Sequence, residues 1–253
     1  MKPLRFITIG PSHYCEKARW ALDRAGIDYV EEAHLPIVHW AHVYPKTKTR
    51  TVPVLLGDGL RLTESADIVR YADRELPERD RLLPAEPSAR DEALALEAHF
   101  DAELGPATRR HAYCHLVDAP EVFAEIFRPG LRGLEARALP VFSPVLRAAL
   151  RKAFKVSPRA AERTREACTA IFDEVAAKLG DRPRLVGDRL SVADVAFVSL
   201  AGPVLLLERG DAVLESLPEG FAATVRAMRA HPAGRWAKRW IAASAVCPGR
   251  RSA

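Results

Sequence analysis

No apolar run in this chain of 253 residues approaches the roughly 20 residues that a membrane-crossing helix needs, which argues against a spanning role. The opening "MKPLRFITIG" is also too short in apolar residues for a signal peptide and reads as a first strand. Cysteine is scarce. Cys15, Cys114, Cys168 and Cys247 are scattered, show no metal-ligand spacing and predict free thiols in a reducing cytosol, not a disulfide framework. Internal repeats and low-complexity tracts are absent as well. Acidic residues are nearly missing between Arg147 and Arg165, where seven cations face only Glu162. No nucleic-acid recognition motif accompanies that stretch, so it reads as a solvated helix face and no nucleic-acid partner is expected.

What is present alternates at first. "LRFITI" is β-branched and apolar and ends at Gly10-Pro11, as a strand does. Tyr14, Ala18, Leu22 and Ala25 share one helical face, with Gly26 as its stop. "IDYVEEAHL" reads as a second strand, so the connection is a right-handed parallel crossover. "TVPVLLGDGLRLTES" holds two extended runs around Gly57-Asp58-Gly59, which is hairpin punctuation. A helix follows from Ser65, with Ala66, Val69, Ala72 and Leu76 inward. This β-α-β plus β-β-α order is the layout of an α/β thioredoxin-like domain, placed at residues 1–80. The proline-rich stretch 81–90 reads as a linker, and residues 91–253 as an all-helical domain.

Local signals in the second half are caps. Ser88 with Asp91 and Ser157-Pro158 each mark a helix start. In "RLSVADVAF", Ser191 caps and Asp194 can bond back. Pro140 and Pro144 are expected to break "IFRPGLRGLEARALPVFSPVLRAALRKAF" into short pieces forming a lid or helical extension. "HAYCH" puts His111 and His115 one turn apart without a third ligand in phase, and no metal is expected.

Four segments together resemble the glutathione S-transferase family: "SHYCEKARWAL", Val52-Pro53, Glu64-Ser65 and "VGDRLSVADVAF". The resemblance implies a cytoplasmic, homodimeric detoxification enzyme that conjugates the glutathione thiolate to a small hydrophobic electrophile. It implies a cis bond before Pro53, with the Val52 backbone pairing glutathione's cysteinyl unit, and Glu64 and Ser65 holding the γ-glutamyl end. Ser12 precedes the first helix, where a hydroxyl donor can favour a sulfur anion. The alternative for Ser12 is a cap alone, and the two roles are compatible. Ser65 can likewise cap its own helix. Where relatives carry Asn-Pro-x-Gly-Lys, this chain reads "YPKTKTRTVP". His39, Lys48 and Arg50 are the basic candidates for the glycyl carboxylate. Cys15 stands three residues after Ser12, in the resolving-type position of the fold's redox relatives, without its partner cysteine. Two rival readings stay open: a non-catalytic binding or scaffold protein of this fold, and a glutathione-dependent reductase or lyase using Cys15.

Overall fold

A computed structural model describes residues 3–57, 59–207 and 213–244. Asp58 of the expected hairpin and Cys247 lie outside the described residues. The chain divides into two compact units, one of residues 1–81 with 124–146, the other of 82–123 with 147–246, each also taking in residues outside the described set.

In the first unit, β1 (Leu4–Thr8) leads into α1 (His13–Arg24), β2 (Tyr29–Ala33) and α2 (His39–Thr47). Then come β3 (Val54–Leu56), β4 (Arg61–Leu62) and α3 (Ser65–Glu75). The sheet order is β2-β1-β3-β4. β1 runs parallel to β2, in register from Leu4 with Tyr29 to Thr8 with Ala33, and antiparallel to β3, where Ile7 faces Val54. β4 returns antiparallel to β3, with Leu55 facing Leu62. Phe6, Ile7, Leu22, Val54, Leu55, Ile68, Val69 and Ala72 are fully buried, which is the apolar face that these alternating segments must hide. Gly26 takes the left-handed φ of 65° that stops α1.

The second half is helical, as expected. It runs through α4 (Pro87–His99), a π-helical turn (Phe100–Leu104), α5 (Gly105–Leu116), α6 (Pro120–Phe127), α7 (Gly133–Ala153) and α8 (Pro158–Leu179). It continues with α9 (Val192–Leu200), α10 (Gly202–Leu205), α11 (Val213–Ser216), α12 (Glu219–Ala230) and α13 (Pro232–Ser244). In the second unit Phe197 packs against Phe100, Phe172 and Trp236, with ring centroids 5.5, 5.2 and 5.9 Å apart. Among the described residues no helix is long and apolar enough to cross a membrane.

Two local expectations are corrected. Helix α4 is capped by Glu86, whose carboxylate accepts from Ser88 N–H at 3.0 Å and Ala89 N–H at 2.6 Å, and not by Ser88 with Asp91. Pro87 explains the shift, because proline suits the first helical position and moves the start upstream. Pro140 and Pro144 do not break the chain: α7 is one helix of 21 residues with both prolines inside it. Both stand on its exposed side, where water can serve the carbonyls that lose their N–H partners. His111 is buried in the helical unit, with Nδ1 at 3.1 Å from Ala161 O. Burial and the neighbouring His115 lower its pKa to about 4.

Candidate functional site in the first unit

Strand register alone gathers the chosen residues at one end of the sheet. β1 ends at Thr8 beside the start of β3, so the Ile9–Ser12 turn and Val52-Pro53 share an edge. β4 runs back toward that same edge and delivers Glu64-Ser65 to it. In open α/β sheets the strand ends are where ligands bind.

Ser12 is the N-cap of α1, at φ −75° and ψ 118°, and its Oγ accepts from Cys15 N–H at 3.4 Å. The residue is only partly buried. Arg19, near the middle of α1, is buried and clamps Glu31 of β2 at 2.6 and 3.0 Å while also pairing with Glu16. Those carboxylates hold the guanidinium firmly charged against the cost of burial. Glu31 Oε1 also accepts from Thr8 Oγ1 at 2.7 Å, so this arginine fixes the helix to both parallel strands.

The Val52-Pro53 peptide bond is cis, and β3 begins one residue later. Glu64, not Ser65, is the N-cap of α3; Ser65 is its first residue and is buried. The helix therefore starts where expected, but the N-cap position falls one residue before Ser65, on Glu64, whose backbone is extended (φ −120°, ψ 139°) and whose side chain makes no capping hydrogen bond.

The basic candidates separate clearly. His39 is buried, and its Nε2 donates to the Arg50 carbonyl at 2.9 Å, so it serves the backbone of the irregular loop. Burial lowers its pKa, with the hydrogen bonds to the Arg50 and Leu35 carbonyls pulling the other way. Arg50 lies over the rings of Trp40 and Tyr44, 5.0 and 5.7 Å from their centroids. Lys48 also lies over Tyr44, at 5.7 Å, from a left-handed backbone at φ 63°. This aromatic platform for the loop's cations was not anticipated. Its signal was the Trp40/Tyr44 spacing of one helical turn, which only a cation known to be nearby makes informative.

Cys15 is fully buried, and burial pushes its thiol up to about 11, with hydrogen bonds from Ser12 and the Ile9 backbone opposing only in part. A thiol of that kind is almost wholly protonated near neutrality and is a poor nucleophile. It has a consequence for stability. The folded chain holds this proton more tightly than the unfolded chain, whose cysteine titrates near 9.0. The associated stabilisation is complete below about pH 9 and is lost as pH rises toward 11. Urea titrations at pH 8 and pH 11 should show wild type losing about 2–3 kcal/mol more than Cys15→Ala between those values. Equal losses would mean that the thiol is not held in this state.

Residues 8–80 match the family described as Glutathione S-transferase, N-terminal domain. A search of the curated proteins returned no match. Among solved structures, a glutathione S-transferase from Methylobacterium radiotolerans, in complex with glutathione sulfonate, is 22% identical. It aligns over 92% of this chain and 93% of its own, with a TM-score of 0.54. The β-etherase LigF of Sphingobium sp. strain SYK-6 is 18% identical over 94% and 100% of the two chains, with a TM-score of 0.60. A glutathione transferase from Burkholderia graminis, with two glutathione molecules bound per subunit, is 17% identical over 98% and 89%, also at 0.60. The chain has the glutathione S-transferase fold: a thioredoxin-like N-terminal part followed by a helical C-terminal part.

Proposed function

We propose that the chain binds glutathione at the strand ends of its first unit and transfers the thiolate to a small hydrophobic electrophile. The observation that carries this reading is Ser12 as the N-cap at the mouth of α1, in a residue only partly buried. Ser12 Oγ accepts from the Cys15 N–H, and a hydroxyl that accepts still has its own proton to offer a bound sulfur anion. The helix N-terminus adds its positive end to the same point. Val52 would pair with the cysteinyl backbone, Glu64 and Ser65 would take the γ-glutamyl group, and Arg50 would meet the glycyl carboxylate. His39 supports that last contact through the Arg50 carbonyl. The enzyme's share would be thiolate formation and proximity, with no covalent enzyme intermediate. The homodimer belongs to the same proposal.

The reductase or lyase alternative needs an accessible, ionised Cys15, and a fully buried thiol pushed to about 11 does not favour it. Titration with reduced glutathione, followed by melting temperature and by the ultraviolet absorbance of the thiolate at neutral pH, tests the main reading. A saturable rise in both is expected. A protein whose melting temperature ignores millimolar glutathione would reduce the reading to architecture.

A further inference from the structure

We propose that His34, His42 and Glu135 form a binding site for a divalent transition-metal ion of the zinc type, separate from the Ser12 site. The three residues come from three elements of the first unit. His34 follows β2 directly and is fixed by its own N–H, which donates to Thr8 O at 2.9 Å. His42 lies one turn into α2, and Glu135 lies in the first turn of α7. One ligand atom from each falls within 4.8 Å of the other two.

The carboxylate is already oriented. Glu135 Oε2 accepts from Leu35 N–H at 2.8 Å, which turns Oε1 toward the imidazoles. Oε1 is 2.7 Å from His34 Nδ1 and 3.9 Å from His42 Nε2. Zinc bonds of about 2.0–2.2 Å place neighbouring ligand atoms roughly 3.4 Å apart in a tetrahedron, and the two separations straddle that value. An ion would take the place of the proton between His34 and Glu135, opening the short contact and closing the long one. The two histidine rings are stacked, with centroids 3.7 Å apart at 18°. A shared ion therefore requires one ring to turn, and His42, whose side chain is 41% exposed, has the room. Water would complete the coordination.

The donor set selects the ion class. Two imidazoles with one carboxylate suit zinc, cobalt or nickel, whereas magnesium and calcium seek oxygen alone. The pair His111 and His115 is no rival, since among the described residues no third histidine, cysteine or carboxylate groups with them. Binding would tie the start of α7 to the β2–α2 junction, with an effect on melting temperature that needs no assay of catalysis.

The experiment is titration of the untagged full chain with Co2+, read by visible absorbance and by melting temperature, with Mg2+ as control. Wild type should bind one equivalent, and its melting temperature should rise with Co2+ and not with Mg2+. His42→Ala and Glu135→Gln should each weaken binding by about a hundredfold or more. Both variants should fold, because the His42 ring is half exposed and a glutamine oxygen can still accept from Leu35 N–H. His115→Ala should leave binding unchanged. Equal Co2+ affinity in wild type and His42→Ala, or no binding below about 0.1 mM, would overturn the proposal.

Discussion

Asp194→Ala should destabilise the helical unit by about 3–5 kcal/mol, a large share of the roughly 5–15 kcal/mol that a domain of this kind has in total. Asp194 is fully buried. Its Oδ1 accepts from Leu185 N–H at 2.9 Å, and its Oδ2 from both the N–H and the hydroxyl of Ser191 at 2.8 Å. Burial raises the carboxyl's pKa, and these three donors pull against that rise. Alanine would strand two buried backbone N–H groups at about 1–3 kcal/mol each, and would remove the reciprocal cap of α9 at about 1 kcal/mol. Asp194→Asn is not a neutral replacement either: one oxygen still accepts, but the amide nitrogen faces a donor, so roughly half the loss should remain. Urea denaturation followed by circular dichroism checks both. Loss of less than about 1 kcal/mol in Asp194→Ala would mean that water or a rearranged loop satisfies those groups.

This buried carboxylate was legible beforehand because its signal is local. Ser191 and Asp194 stand three residues apart before an apolar run, and no other part of the chain is needed to read them. The same holds for Ser12 before α1, Ser157 before α8 and the β3–β4 hairpin. Each of these is decided by the backbone geometry of a few neighbours. Errors arose where two local rules competed. Pro87 at the first helical position outranked Ser88 as the marker of α4, and the long apolar face of α7, with Leu139, Leu146 and Leu150 buried, outweighed two prolines.

The site divides in the same way. Ser12 and Val52-Pro53 were singled out by the family resemblance, and the strand register then puts them at one end of the sheet. The role of His39 did not follow, because its partner is a backbone carbonyl and carbonyls leave no trace in a sequence. Nor did the contact between His34 and Glu135, which spans 101 positions and exists only because residues 124–146 pack with the first unit. A pairing of that range is set by tertiary packing, which no periodicity records.

Ser12→Ala should lower turnover at neutral pH by about tenfold or more while glutathione still binds. A free glutathione thiol titrates near about 8.5, and lowering it by two units takes about 2.7 kcal/mol of preference for the anion. The α1 N-terminus and its backbone N–H groups survive the substitution, so only the hydroxyl's share, about 1.5–3 kcal/mol for a hydrogen bond to a charge, is removed. Binding should persist, since Val52, Glu64 and Ser65 engage other parts of the tripeptide in the proposed pose. The cap is lost too, at about 1 kcal/mol of stability, and two readouts separate that loss from chemistry. One is the pH profile: the deficit of Ser12→Ala should shrink as pH rises past about 8.5, where the thiol ionises unaided. The other is Ser12→Thr, which keeps both hydroxyl and cap and should recover most of the rate. A deficit that stays constant from about pH 6 to pH 9 would assign Ser12 to the helix alone, and unchanged turnover would remove it from the reaction.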